Sequence, residues 1–247
     1  MTAEDIAERL VAAQRCPTPV RRAVMVQGWY ELASLHWRYD VADVARLLPA
    51  GLEVDTFDGS AWVGLIPFAM RGIGLPRVPE VPYLGSFPEI NVRTYVVKNG
   101  VPAVWFMSLD INRLIPTLVA RATYRLPYCW GHASHQRDRD RLRVEVRRRW
   151  PQRGPATRID VQIGERIEEP TALDVFLTAR WGLYSHGRNG GVRYAPVDHE
   201  PWQLRSAVLR SLDDSLVTAA GLAAPTTEPY VLFSEGVHVR IGVPRSA

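Results

Sequence analysis

The sequence predicts an α+β fold that is mostly β, and three observations carry this. First, two turn dipeptides separate apolar runs. Asp58-Gly59 lies between 52–57 and 61–68, and Asn99-Gly100 lies between 90–97 and 101–109. Both dipeptides accept positive φ at two successive positions, as a tight two-residue hairpin requires. Second, residues 89–95 alternate: Glu89, Asn91, Arg93 and Tyr95 share one face, Ile90, Val92 and Thr94 the other. Third, 104–111 is a nearly continuous apolar run around Ser108, the pattern of a strand covered on both sides.

The remaining elements follow in order. In residues 1–14, Ile6, Leu10 and Val11 recur at helical spacing among Glu4, Asp5, Glu8 and Arg9. This reads as a short amphipathic helix in an N-terminal extension (residues 1–23), and the acids exclude a signal peptide. Asp40 caps a helix through Leu48, which Pro49 and Gly51 stop. Residues 74–88, with Pro76, Pro79, Pro82 and Pro88, read as a surface loop. Segments 142–146 and 159–167 read as strands, and 171–181 as a helix after Pro170. In 200–220 the stripe Leu204, Val208, Leu212 and Leu216 predicts a helix ended by Gly221. A last strand covers 230–241. No repeat, low-complexity tract or linker interrupts the chain, so residues 1–247 form one domain.

Composition narrows the class. With 47% hydrophobic and 23% charged residues the chain is globular rather than disordered. No apolar run reaches the roughly 20 residues that span a bilayer. Two distant cysteines, Cys16 and Cys129, suit a reducing compartment, hence the cytoplasm. The net charge of +4 is carried by arginine; the sole lysine is Lys98. That matters because lysine can be an amine nucleophile and arginine cannot.

Two readings stand for the face Glu89, Asn91, Arg93 and Tyr95. It is either solvated, or it lies inside a barrel where a carboxylate, an amide and a guanidinium converge on a ligand. The stretch RATYRLPYCW (121–130) is either a pocket wall or ordinary core tyrosines. His132 and His135 have no accompanying ligand cluster, so no metal is expected. His36, His186 and His199 are unranked acid–base candidates. No nucleophile elbow, P-loop or dinucleotide fingerprint appears, and no cofactor is expected. Gly187, Gly190 and Gly191 read as a flexible loop bordering a pocket. The basic run 137–153 reads as a solvated strand face. Interleaved Asp138, Asp140 and Glu145 argue against a nucleic-acid partner.

Several strings occur in order that resemble one family. They are LHWRYDVADVARLLPAGLEVDTFDGSAWVGLIPFAM, FPEINVRTYV, VWFMSLD, ARWGLYS and DHEPW. Together, from about Gln27 to Val243, they are similar to the YqjF-like (DUF2071) family of bacterial proteins, in the acetoacetate decarboxylase-like superfamily. The resemblance implies a barrel-centred antiparallel sheet with a few peripheral helices, a closed interior cavity, and often an oligomer. It also implies that Glu89 matches the pocket carboxylate of the decarboxylase. ARATYRLPYC resembles a signature reading Gly-Arg-Glu, then Pro-Lys-Lys. Arg121 and Pro127 are kept, but Ala122 replaces the glutamate, and Tyr128 and Cys129 replace the lysines. Neither can form an imine, and Lys98, ahead of a turn, should project into solvent. A Schiff-base decarboxylase is therefore not expected.

The expectation is a cavity that binds a small oxygenated or anionic organic molecule. Glu89 is the candidate acid or base. Arg93 or Arg121 would hold an anionic group, and Tyr124, Tyr128 and Tyr184 would supply hydroxyls. Lyase, hydratase or isomerase chemistry without an amine is one expectation; a non-catalytic binder or sensor is the alternative. The expected partner is a small molecule, with no nucleic acid or membrane, and with a homo-oligomer allowed.

Overall fold

The computed structural model describes residues 12–78, 85–187 and 190–247. Along the chain run β1 (Ala23–Tyr39), α1 (Val41–Ala45), β2 (Glu53–Val54), β3 (Ala61–Gly74), β4 (Phe87–Lys98) and β5 (Val101–Ile111). Then come α2 (Leu114–Thr123), β6 (Tyr128–Asp138), β7 (Arg141–Trp150), β8 (Ala156–Arg166), α3 (Ala172–Thr178) and β9 (Gly182–His186). The chain finishes with β10 (Val192–His199), β11 (Leu204–Asp214), α4 (Leu216–Ala219), β12 (Tyr230–Gly242) and β13 (Arg245–Ser246). Most of the expected N-terminal helix, together with Pro79, Pro82, Arg188 and Asn189, lies outside the described residues.

The 13-stranded sheet closes on itself twice. One ring is the nine-strand barrel β5-β6-β7-β8-β11-β12-β1-β3-β4. A smaller ring runs β5-β9-β10-β12-β1-β3-β4, because β10 pairs with β12 and β9 with β5. Pairing is antiparallel except for β5–β6 and β5–β9. The β5–β6 crossover carries α2, as a parallel connection requires. The fold is thus the mostly β, barrel-centred one expected.

Strands β3 and β4 form a wall common to both rings, so both of their faces are interior. Ile90 and Val92 of β4, with Val63 and Leu65 of β3, join Leu142, Val144, Ile159, Val161 and Phe233 in the core of the nine-strand ring. Burial of each such side chain contributes about 1.5–3 kcal/mol. Glu89, Asn91 and Arg93 project to the other side, into the smaller ring. The solvated-face reading of this strand is excluded.

A single extra residue lets β1 serve both rings. Between the pairs Tyr30↔Ala69 and Leu35↔Leu65, β1 has one residue more than β3, and Glu31 there takes φ 50. Before this bulge Gln27 and Trp29 face the smaller ring; after it Ala33, Leu35 and Trp37 face the larger core. One inserted residue moves every later side chain to the opposite face.

Three expectations need correction. Residues 204–214 form strand β11, with a helix only over 216–219. Spacings of four fit a strand as well as a helix, and Val208 of the supposed stripe is 60% exposed. The inward residues are Ala207 and Leu209 and, past a register shift, Leu212. What decides is the gap between β8 and β12, which β11 closes with backbone hydrogen bonds. The Asp58-Gly59 turn forms, with φ 53 and 70. Its hairpin, however, is a single Phe57–Ser60 bridge, and β2 pairs with β4 instead. Helix 171–181 ends at Thr178, although its start carries a full capping box between Thr171 and Asp174. By contrast Asn99 and Gly100 take φ 51 and 74 and join β4 to β5, as expected.

Candidate functional site

The smaller ring encloses a cavity of about 270 Å³. Its wall comes from β1, β3, β4, β5, β9, β10 and β12, and Ile115, Pro116, Val119 and Ala120 of α2 cover one end. The sequence hides α2, because Pro116 falls within its first turn and arginine is not a capping residue type at 113. The lining is chiefly apolar, with Trp29, Ile66, Phe68, Met70, Phe106 and Leu109. Such a surface with a few convergent polar groups is the usual make-up of a small-molecule site.

Of the residues singled out in the sequence, Glu89, Arg93, Tyr124 and Tyr128 line this cavity. Arg121 and Tyr184 do not. Arg121 Nη1 donates to the Tyr128 carbonyl at 2.7 Å, and its guanidinium lies over Trp150. It holds the backbone of Tyr128 from outside. Tyr184 alternates away from its cavity-facing neighbours Leu183 and Ser185; its hydroxyl donates to the Val101 carbonyl at 3.2 Å. Lys98 sits at the far end of β4, with Nζ donating to the Gly51 carbonyl at 3.2 Å. Cys129, at the second lysine position, is buried and alternates away from the cavity.

Glu89 is buried, and burial pushes its pKa up to about 8. Hydrogen bonds from Tyr128 and Asn91 pull the other way, and the charge of Asp110 adds to the rise. At neutral pH Glu89 is therefore mostly a carboxylic acid, able to donate a proton as well as accept one. The Tyr128 hydroxyl donates to Glu89 Oε2 at 3.2 Å. Burial, then the neighbouring Glu89, raises the Tyr128 pKa far above 10, so its proton stays in place.

Arg93, half-buried, occupies a different electrostatic position from the buried arginines Arg148 and Arg180. Arg148 makes a two-pronged ion pair with Asp110, both bonds 2.7 Å, and Arg180 pairs with Asp55. Among the described residues Arg93 has no carboxylate within ion-pair reach, and its Nε has no hydrogen-bond partner. Trp29 Nε1 and Asn91 Oδ1 are also buried without partners. An unpaired polar atom in such a setting costs about 1–3 kcal/mol unless a ligand or water satisfies it.

Residues beyond the sequence-derived set also contribute. Gln27, Trp29, Ser185 and Arg193 line the wall, and Arg193 also borders an outer polar pocket with Arg125 and Gly187. Gly187 and Gly191 border that outer pocket rather than the cavity. No histidine lines the cavity among the described residues. His36 is buried against the Tyr95 hydroxyl at 2.7 Å, and burial then Arg93 lower its pKa well below 6.5.

Residues 26–238 match the DUF2071 family, described as an uncharacterized conserved protein. The chain belongs to the DUF2071 family. It is 30% identical over 213 residues to YqjF of Bacillus subtilis, covering 86% of this chain and 88% of that protein. Solved structures place the family's architecture. The enduracididine biosynthesis enzyme MppR, complexed with pyruvate, superposes with a TM-score of 0.63 at 16% identity, covering 93% of this chain and 92% of that one. An acetoacetate decarboxylase-like enzyme from Sphingomonas wittichii gives 0.62 at 13% identity, covering 94% and 96%. Acetoacetate decarboxylase from Legionella pneumophila gives 0.61 at 11%, covering 94% and 92%. The DUF2071 chain therefore has the acetoacetate decarboxylase-like fold.

Proposed function

We propose that this DUF2071 protein binds a small organic anion in the seven-strand ring, with Arg93 as the anchor for its charge. The observation that carries the reading is that Arg93 lines the cavity and, among the described residues, has no carboxylate within ion-pair reach, whereas Arg148 and Arg180, outside the cavity lining, each have one. Arg93 is half-buried, its Nε is buried without a hydrogen-bond partner, and a bound carboxylate would supply one. The mostly apolar lining accommodates the body of an organic molecule. MppR, of the same fold, forms a complex with pyruvate, itself a small organic anion.

Glu89 is the group with chemistry to offer. As a carboxylic acid with a pKa near 8 it can protonate a carbonyl-type oxygen or, once ionised, remove an adjacent proton. This fits a lyase-, hydratase- or isomerase-type reaction, without the imine that Tyr128 and Cys129 cannot form. Thermal-shift titration with a panel of monocarboxylates from butanoate to octanoate tests the reading. The wild type is expected to be stabilised, and Arg93→Met is not. Equal stabilisation of both, or of neither, rejects Arg93 as an anion anchor.

A further inference from the structure

The cavity has two polar poles. Glu89 and Arg93 lie on the same face of β4, four positions apart, so their Cα atoms are separated by ~13 Å. Their surroundings do not overlap. Glu89 interacts with Tyr128, Asn91 and Asp110. The charge of Arg93 acts on His36, Arg180 and His199. Between the poles on β4 stands Asn91, flanked by apolar side chains. Ile66 and Leu109, the cross-strand neighbours of Asn91 on β3 and β5, both line the cavity.

We propose that the ligand is an elongated monocarboxylate: its carboxylate sits at Arg93, several apolar carbons run along Ile66 and Leu109, and an uncharged acceptor oxygen, a carbonyl or ether, meets Glu89. This rests on the anion reading above and adds length and a second recognition point to it. The Tyr128 hydroxyl donates to one oxygen of Glu89 and Asn91 also hydrogen-bonds the carboxyl group; in its acid form Glu89 carries a proton that a ligand oxygen would accept. With the two Cα atoms ~13 Å apart, a chain that separates its carboxylate from its second oxygen suits the two poles better than a short acid. The volume of about 270 Å³ is at the small end for a ligand site, which suits one unbranched molecule.

Isothermal titration with three probes separates this proposal from the reading beneath it. The probes are heptanoate, 6-oxoheptanoate and 2-oxobutanoate, each at pH 6.5 and pH 9.5. At pH 6.5 the wild type is expected to bind 6-oxoheptanoate about tenfold more tightly than heptanoate, the worth of one good hydrogen bond. At pH 9.5, where Glu89 has lost its proton, that ratio falls to about one. Binding of 2-oxobutanoate is weaker than that of 6-oxoheptanoate at pH 6.5. Arg93→Met weakens both seven-carbon acids by a similar factor and preserves their ratio at pH 6.5. Equal affinity of heptanoate and 6-oxoheptanoate at pH 6.5, with both lost in Arg93→Met, overturns the two-pole ligand and leaves the anion site standing. A ratio that persists at pH 9.5, or tighter binding of 2-oxobutanoate, also overturns it. Failure of every acid to bind, or binding indifferent to Arg93→Met, overturns the anion site itself.

Discussion

The Tyr128 hydroxyl and Glu89 Oε2, 3.2 Å apart, join β6 to β4, two strands that are not neighbours in the sheet. The contact therefore reaches past β5 and fixes the position of the one carboxyl group that lines the cavity among the described residues. Burial of that carboxyl group, which the Tyr128 bond opposes only in part, makes protein stability depend on the state of Glu89.

That dependence has a definite sign. The carboxyl pKa rises from 4.5 to about 8 on folding, so the folded state holds the proton more tightly than the unfolded state. The stabilising contribution is complete below pH 4.5 and is lost as pH rises toward 8, at up to about 1.4 kcal/mol per pH unit. Glu89→Gln removes this slope. Urea unfolding midpoints at pH 5, 6.5, 8 and 9 are expected to converge and then cross in favour of the variant as pH rises. Parallel curves for the two proteins contradict the buried acid.

Asp110 and Arg148 are both almost fully buried and bonded to each other twice. Removing one partner leaves an uncompensated charge. Asp110→Asn and Arg148→Met should each lose about 3–5 kcal/mol in chemical denaturation. The double variant Asp110→Leu/Arg148→Met should recover much of that loss. A double variant as unstable as the sum of the singles counts against this account.

Gly236 sits opposite Tyr30 with φ 134, and an added Cβ would lie 2.3 Å from the Trp29 carbonyl oxygen. That carbonyl is backbone and cannot swing aside. Gly236→Ala is expected to cost more than about 2 kcal/mol and to disturb the bulge that aims Trp29 into the cavity. Quenching of tryptophan fluorescence by acrylamide reports it; an unchanged unfolding midpoint with unchanged quenching contradicts the prediction.

Lys98, tied to the Gly51 carbonyl outside the cavity, should not condense with a keto acid. Borohydride reduction in the presence of pyruvate, followed by peptide mass measurement, is expected to leave the peptide containing Lys98 unmodified. A reduced adduct on Lys98 would restore imine chemistry.

Local rules made part of this fold readable from sequence. Asn99-Gly100 sets its hairpin because positive φ at both positions is a property of those two residues alone. The alternation of Glu89, Asn91 and Arg93 likewise follows from the strand period. Other features depend on neighbours far along the chain. Leu204, Leu212 and Leu216 fit two periods equally, and only the open edge between β8 and β12 chooses the strand. Arg121 and Arg93 look equivalent in sequence, yet one clamps the carbonyl of Tyr128 and the other lines the cavity with no carboxylate partner among the described residues. Tyr184 and Ser185 differ by one place in register, and that place decides which of them reaches the interior.

The central claim is that the seven-strand ring receives an organic anion at Arg93. A crystal structure of the protein grown with heptanoate tests it most directly. The account predicts a carboxylate within hydrogen-bond distance of the Arg93 guanidinium, with the chain lying along Ile66 and Leu109 toward Glu89. A ring interior closed by side chains, or heptanoate bound only outside it with Arg93 paired to a carboxylate of the protein, would contradict the account.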